Sequence, residues 1–181
     1  MPKITKILIG VLAGGGIVAA LYFSGALDFL NPLSFKEYKS PRHSYTISYP
    51  RSWTLDDLQA KARLDVIHNA NKNGVVLIQV FEHESYAAEE GRAKAAADMK
   101  KDFSTRPEYK LDYFNSETVD GAVVFEAAGL YRDANGTWNF IQRGAFLPDG
   151  KAYNIVARML TGSVDELKPT MERIIASFKL E

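Results

Sequence analysis

EYKLDYFNSETVDGAVVFEAAGLYRDANGTWNFIQRGAFLPDGKAYNIVARML, running from Glu108 to Leu160, is the stretch that decides the fold. Asp120-Gly121, Asn135-Gly136 and Asp149-Gly150 interrupt it at regular intervals, and each dipeptide sits between runs rich in Val, Ile, Phe, Tyr and Trp. Asn-Gly and Asp-Gly are strong hairpin signals. Both central residues of a type I′ turn take positive φ, which Gly adopts freely and Asn or Asp tolerate better than other residues. The segment therefore predicts a four-stranded antiparallel meander.

If each turn is a two-residue loop, counting outward from it fixes the register. Phe125 then lies beside Phe146 and Tyr153, Ala127 beside Gly144 and Ile155, Gly129 beside Gln142 and Ala157, and Tyr131 beside Phe140 and Met159. Aromatic rows flank a saddle of small residues on that face, a seat for a helix. The opposite face carries Glu126, Arg132, Arg143 and Arg158 among Val124, Leu130 and Ile141. It is either a solvated face laced with weak ion pairs or a surface offered to a partner. Trp138, two residues beyond Gly136, is expected to be partly exposed near a hairpin tip and to serve as a contact there.

Upstream, Ser44–Tyr49 alternates Tyr45, Ile47 and Tyr49 against Ser44, Thr46 and Ser48, the period of a half-buried strand, and Pro50 ends it. Leu64–His68 and Val75–Phe81 read as two more strands, joined through a loop of turn-forming residues. Ser85 is placed to cap a helix reaching about Phe103, with Ala88, Ala95, Ala96, Met99 and Phe103 as its inner stripe. Arg106-Pro107 stops it. Downstream, Ser163 and Glu166 have capping-box spacing. Leu167, Met171, Ile174, Ile175 and Phe178 then form an apolar stripe for the saddle, with Pro169 expected to kink the helix or separate its first turn.

Ile7–Leu27, ILIGVLAGGGIVAALYFSGAL, carries no charge and follows Lys3 and Lys6. As a helix it is roughly 31 Å long at about 1.5 Å per residue, a bilayer core's thickness. The two lysines favour a single-pass orientation with the N-terminus cytoplasmic and the rest in periplasm, lumen or extracellular space. A cleaved signal peptide is the rival reading, since Ser24-Gly25-Ala26 resembles a cleavage site. The apolar run exceeds the roughly 7–15 residues usual in signal peptides, which favours retention. Gly10 and Gly14 are spaced G-x-x-x-G, and Gly15 and Gly16 repeat small-x-x-x-small with Ala19 and Ala20. Such faces pack helices closely in lipid, although glycine is also simply frequent in membrane segments. The organisation expected is an anchor over 1–30, a linker over 31–36 and one domain over 37–181.

Lys plus Arg and Asp plus Glu number 22 each, so no global field draws the chain to nucleic acid. There is no Cys, which removes disulfides, thiolate metal sites and cysteine nucleophiles. No nucleophile elbow, phosphate-binding loop or His-Glu-x-x-His motif occurs. Glu82-His83-Glu84 is the one cluster with metal-ligand types, but on an extended strand its carboxylates point away from the imidazole. No catalytic residue, metal or cofactor is therefore expected.

Tyr45-Thr46-Ile47-Ser48-Tyr49-Pro50 with Trp53, Asp149-Gly150-Lys151-Ala152-Tyr153 before a strand, and the closing Ile175-Ala176-Ser177-Phe178 resemble the PsbP-like family. The resemblance covers about Phe35 to Leu180. It implies an α+β domain with a central antiparallel sheet flanked by helices, and non-enzymatic members that stabilise or assemble photosynthetic complexes or serve in bacterial envelopes. With the anchor, this gives the expected function: a membrane-anchored extracytoplasmic accessory subunit binding an integral membrane complex, a photosynthetic or electron-transfer complex being one candidate. An envelope domain binding a small ligand or lipid is the alternative.

Overall fold

The computed structural model describes residues 34–58 and 64–181. The membrane helix expected over Ile7–Leu27, with Gly10, Gly14, Gly15 and Gly16, lies outside the described residues. The chain divides into two units. Of the smaller, Met1–Lys36 with Pro50–Ser52, the described part joins the Arg51 amide to the Ser34 carbonyl at 2.8 Å. The larger, Glu37–Tyr49 with Trp53–Glu181, carries the fold.

In chain order the strands are β1 (Phe35–Lys39), β2 (Tyr45–Pro50), β3 (Thr54–Asp57), β4 (Leu64–His68) and β5 (Gly74–Glu82), then helix α1 (Glu89–Thr105). The meander follows as β6 (Tyr109–Val119), β7 (Ala122–Asp133), β8 (Gly136–Phe146) and β9 (Lys151–Leu160), then helix α2 (Val164–Ala176) and β10 (Lys179–Leu180). Seven strands form one antiparallel sheet in the order β3-β4-β5-β9-β8-β7-β6, and β1-β2-β10 form a small second sheet. The α+β architecture and the four-stranded meander read from the sequence are both present.

The turns set a register that differs from simple counting. At the first, Asp120 (φ 50) and Gly121 (φ 78) are both left-handed and Val119 pairs with Ala122, a two-residue loop as predicted. At the second, Asp133 pairs with Gly136, so Ala134 and Asn135 form the tip and the positive φ, 139, falls on Gly136. The Asp133 carboxylate accepts the Asn135 amide at 2.8 Å and fixes this tip. Partners across β7 and β8 slide by two residues, which keeps every side chain on its expected face: Phe125 opposes Gly144, not Phe146.

The third turn is the consequential one. Leu147 N–H donates to the Lys151 carbonyl at 2.8 Å and Gly150 N–H to the Leu147 carbonyl at 3.2 Å, closing a three-residue loop with Gly150 at φ 86. Such a loop is a type I turn followed by a left-handed residue. Phe146 consequently pairs with Ala152 instead of Tyr153. A one-residue slip sends every β9 side chain to the other face. Tyr153, Ile155, Ala157 and Met159 thus oppose the face predicted for them, and Ala152, Asn154, Val156 and Arg158 take their place.

Helix α1, not the C-terminal helix, covers the aromatic face of the meander. Ala96 and Phe103 join Phe114, Phe125, Ala127, Phe140, Phe146, Ala152 and Val156 in one core, with the Phe103 ring 5.9 Å from Phe140. No saddle remains there. The Phe125 ring already fills the space above Gly144, where an added Cβ would lie 2.4 Å from it, and a Cβ on Gly129 would meet the Lys110 carbonyl oxygen at 2.2 Å. Ala88 is exposed at the helix start, while Arg92 is buried, its Nη1 donating to the Tyr86 and Ala87 carbonyls at 2.7 and 2.9 Å. Ser85 does not cap α1. It lies in a 3-10 turn over Glu84–Ala87, its amide bonded to His83 Nδ1 at 3.2 Å.

Helix α2 packs on the opposite face, over β5 and β9; of its predicted stripe Leu167, Met171, Ile174 and Ile175 are buried, while Phe178 falls beyond the end of the helix and is half-buried. Gly74 makes room for it, because a Cβ there would meet Met171 Cε at 2.9 Å and Leu167 Cδ1 at 3.0 Å. The capping box does not form. Ser163 Oγ instead accepts Asn73 Nδ2 at 2.7 Å, and the helix runs on through Pro169.

Candidate docking groove

Because α2 lies over β5 and β9, the same face of β6, β7 and β8 is left open beside it. The pleat puts Tyr113, Asn115, Glu117 and Val119 of β6 on this face, with Val124, Glu126, Ala128 and Arg132 of β7 and Ile141, Arg143 and Ala145 of β8. A groove of about 680 Å³ runs from the polar Asn115, Glu117, Glu126 and Arg143 to an apolar wall of Ala145, Ile155, Ile175, Phe178 and Leu180. A second hollow of about 250 Å³ lies beside the first half of α2, among Asp112, Tyr113, Ala128, Ile141, Lys168 and Glu172.

Glu126 and Arg143 sit directly opposite each other across β7 and β8, with Arg143 Nε and Nη2 both 2.9 Å from Glu126 Oε1. Their side chains are 37% and 51% exposed, so the bridge is a surface pair, individually weak and open to exchange with an incoming group. Burial, with Glu126 nearby, raises the Tyr113 phenol above its ordinary value. On α2, Lys168 reaches Glu172 at 3.9 Å. Leu180 in the groove and Tyr113 in the second hollow, each about two-fifths exposed, are large apolar groups open to water.

Of the residues named from the sequence, Glu126 and Arg143 come together in the groove, and Arg132 is exposed on the same face farther toward the β7–β8 tip. Arg158 is on the other face. Its guanidinium lies 4.7 Å from the Tyr131 ring centre, and its buried Nε has no hydrogen-bond partner among the described residues. Trp138 is also on that face and is 8% exposed rather than a free tip, its Nε1 donating to Asp133 at 3.1 Å. Sequence reasoning missed Tyr113, Glu117, Lys168, Glu172 and Leu180. Tyr113, Asn115, Glu117 and Val119 do alternate, but the bulge at Asp112, between Leu111 and Tyr113, decides which face they take.

The three histidines stay apart. His68 Nε2 approaches Asp56 at 3.3 Å, and His83 Nδ1 shares a hydrogen with Ser85 Oγ at 2.7 Å. Among the described residues no group of three or more His, Asp or Glu side chains is placed to hold a metal.

No family profile matches the chain, and no curated protein matches it in sequence. Solved structures do. Cyanobacterial PsbP (CyanoP) from Synechocystis superposes with a TM-score of 0.60 at 14% identity, over 82% of this chain and 94% of that one. LpqN of Mycobacterium tuberculosis, described as involved in cell envelope biogenesis, gives 0.53 at 16% identity over 81% and 91%. A Bacteroides thetaiotaomicron protein gives 0.53 at 11% identity, over 81% of this chain and 48% of its own length. At these identities what is shared is the arrangement of sheet and helices, and the chain has the PsbP-like fold.

Proposed function

We propose that this protein is a non-catalytic accessory or assembly subunit, anchored by its N-terminal apolar segment with the folded domain outside the cytoplasm. Its groove beside α2 binds and stabilises an integral membrane protein complex. The observation that carries this reading is the open face of β6, β7 and β8, where an exchangeable Glu126–Arg143 pair adjoins the apolar wall formed by Ile175, Phe178 and Leu180. An apolar centre with a polar rim is the usual anatomy of a protein interface. The fold shared with cyanobacterial PsbP and with a protein involved in cell envelope biogenesis supports an extracytoplasmic setting, and a photosynthetic or electron-transfer complex is one such partner.

The test is site-specific photo-crosslinking in native membranes with the probe at Ala145. A stoichiometric integral-membrane partner is expected, and Arg143→Glu should reduce its recovery severalfold. A monodisperse protein without a partner would defeat the reading.

The groove's volume favours one second reading. About 680 Å³ lies within the range of roughly 300–1,000 Å³ typical of small-molecule sites. Lipid co-purifying with the protein, and lost when Ala145→Trp fills the groove, would identify an envelope lipid-binding domain instead.

A further inference from the structure

Strand β6 is an edge. Among the described residues it pairs only with β7, and beyond the bulge its partners run without interruption from Tyr113↔Ala128 to Val119↔Ala122. Asn115–Val119 is exposed throughout, with Val119 at 45%. Natural edge strands are usually blunted by Lys, Pro or covering elements. The segment Tyr113–Val119 has no Lys, Arg or Pro and lies past the bulge, so its outward backbone groups form a regular ladder along the rim of the groove, with Glu117 as its one charge.

Charge narrows what fits. The groove's cation is already matched, Arg143 with Glu126, and Lys168 of the neighbouring hollow is 3.9 Å from Glu172. Along the ladder the one charged side chain is Glu117, flanked by Asp112 and Asp120; none of the three has an ion pair among the described residues, and Lys110, the one cation of β6, lies before the bulge, so this part of the edge carries surplus negative charge. Resting on the docking reading above, we propose that β6 takes up an extended basic segment of the partner protein as an eighth strand. Its alternate side chains turn into the groove, apolar ones beside Tyr113 and Val119 and a Lys or Arg beside Glu117. Backbone hydrogen bonds supply affinity in such strand addition, and alternate side chains supply selectivity.

The experiment pans the full-length chain against a displayed library of random dodecapeptides. Enriched peptides should alternate apolar and basic residues, and their binding should slow amide exchange across Tyr113–Val119. Glu117→Lys should weaken them about three- to tenfold, and a peptide whose Lys is changed to Glu should regain that loss on the Glu117→Lys protein. Absence of enrichment, binding without protection of Tyr113–Val119, or indifference to the charge swap each overturns the proposal. If it is overturned while Arg143→Glu still releases the membrane partner, strand addition alone fails. If Arg143→Glu leaves the partner bound as well, the docking reading fails with it.

Discussion

Arg143 and Arg158 look interchangeable in the sequence, and the three-residue loop at Pro148-Asp149-Gly150 makes them opposites. Charge reversal separates them. Arg143→Glu breaks an exposed bridge worth about 0.2–1 kcal/mol and sets two carboxylates opposite each other, for a total near 1 kcal/mol. Arg158→Glu removes a cation from the Tyr131 face, where the centroid distance of 4.7 Å and the buried Nε indicate a desolvated contact of about 1–2 kcal/mol. It also presents an anion to the negative face of the ring in a desolvated site, raising the loss to about 3 kcal/mol. With urea slopes of about 1–3 kcal/mol per molar, the midpoint falls by roughly 1–3 M for Arg158→Glu and by roughly 0.3–1 M for Arg143→Glu. The assay is urea unfolding of the full-length protein in mild detergent, followed by tryptophan fluorescence. Equal midpoints for the two variants would refute the reasoning, because they would put Arg158 on a solvated face and return the loop to two residues.

Two further outcomes follow from the packing of α2 and the β7–β8 tip. Met171 is fully buried, so Met171→Ala should cost about 2–5 kcal/mol; Gly74→Ala, destabilising alone, should cost less in that background, a coupling above about 0.5 kcal/mol in a double-mutant unfolding cycle. Burial pushes the Asp133 carboxyl up, but bonds from Trp138 Nε1 and the Asn135 and Gly136 amides outweigh it and hold it below its ordinary 3.8. A depressed folded pKa lends stability that is complete above the ordinary value and is lost as pH falls through the folded one, so Asp133→Asn should flatten the acid limb of stability against pH in urea titrations between about pH 5 and 2.

The parts of the fold legible in the sequence were those with one apolar parity. Tyr45, Ile47 and Tyr49 alternate cleanly and are buried as read, and Leu167, Met171, Ile174 and Ile175 leave α2 only one face to bury. Strand β9 carries apolar residues on both parities, Tyr153, Ile155 and Met159 on one and Ala152 and Val156 on the other, because it is central and covered by a helix on each side. Its pattern therefore did not reveal its facing, and the assignment rested on a turn whose length Asp149-Gly150 does not specify. Gly150 serves equally as the second residue of a type I′ loop or as the left-handed end of a three-residue one. In the site, Glu126 and Arg143 were legible because β7 and β8 slid by an even number. Arg158 and Trp138 were misplaced for different reasons, one by the odd slip and the other by the Asp133 bond that draws the indole in.

That same loop explains why an open face exists at all. With a two-residue turn, Tyr153, Ile155, Ala157 and Met159 would join the aromatic face, and α2 would be drawn onto the meander with them. The extra loop residue turns this set toward Val76, Ile78 and Val80 of β5, so the apolar seat for α2 is built by β5 and β9 and ends there. The corresponding face of β6, β7 and β8 carries Glu117, Glu126 and Arg143, which α2 could cover only by burying charge at several kcal/mol per ion. The groove is thus the boundary between a face apolar enough to hold a helix and one too polar to do so. Shortening the loop by deleting Pro148 should move that boundary, and a variant that still folds with Arg143 half-exposed in the groove would show that loop length does not control it.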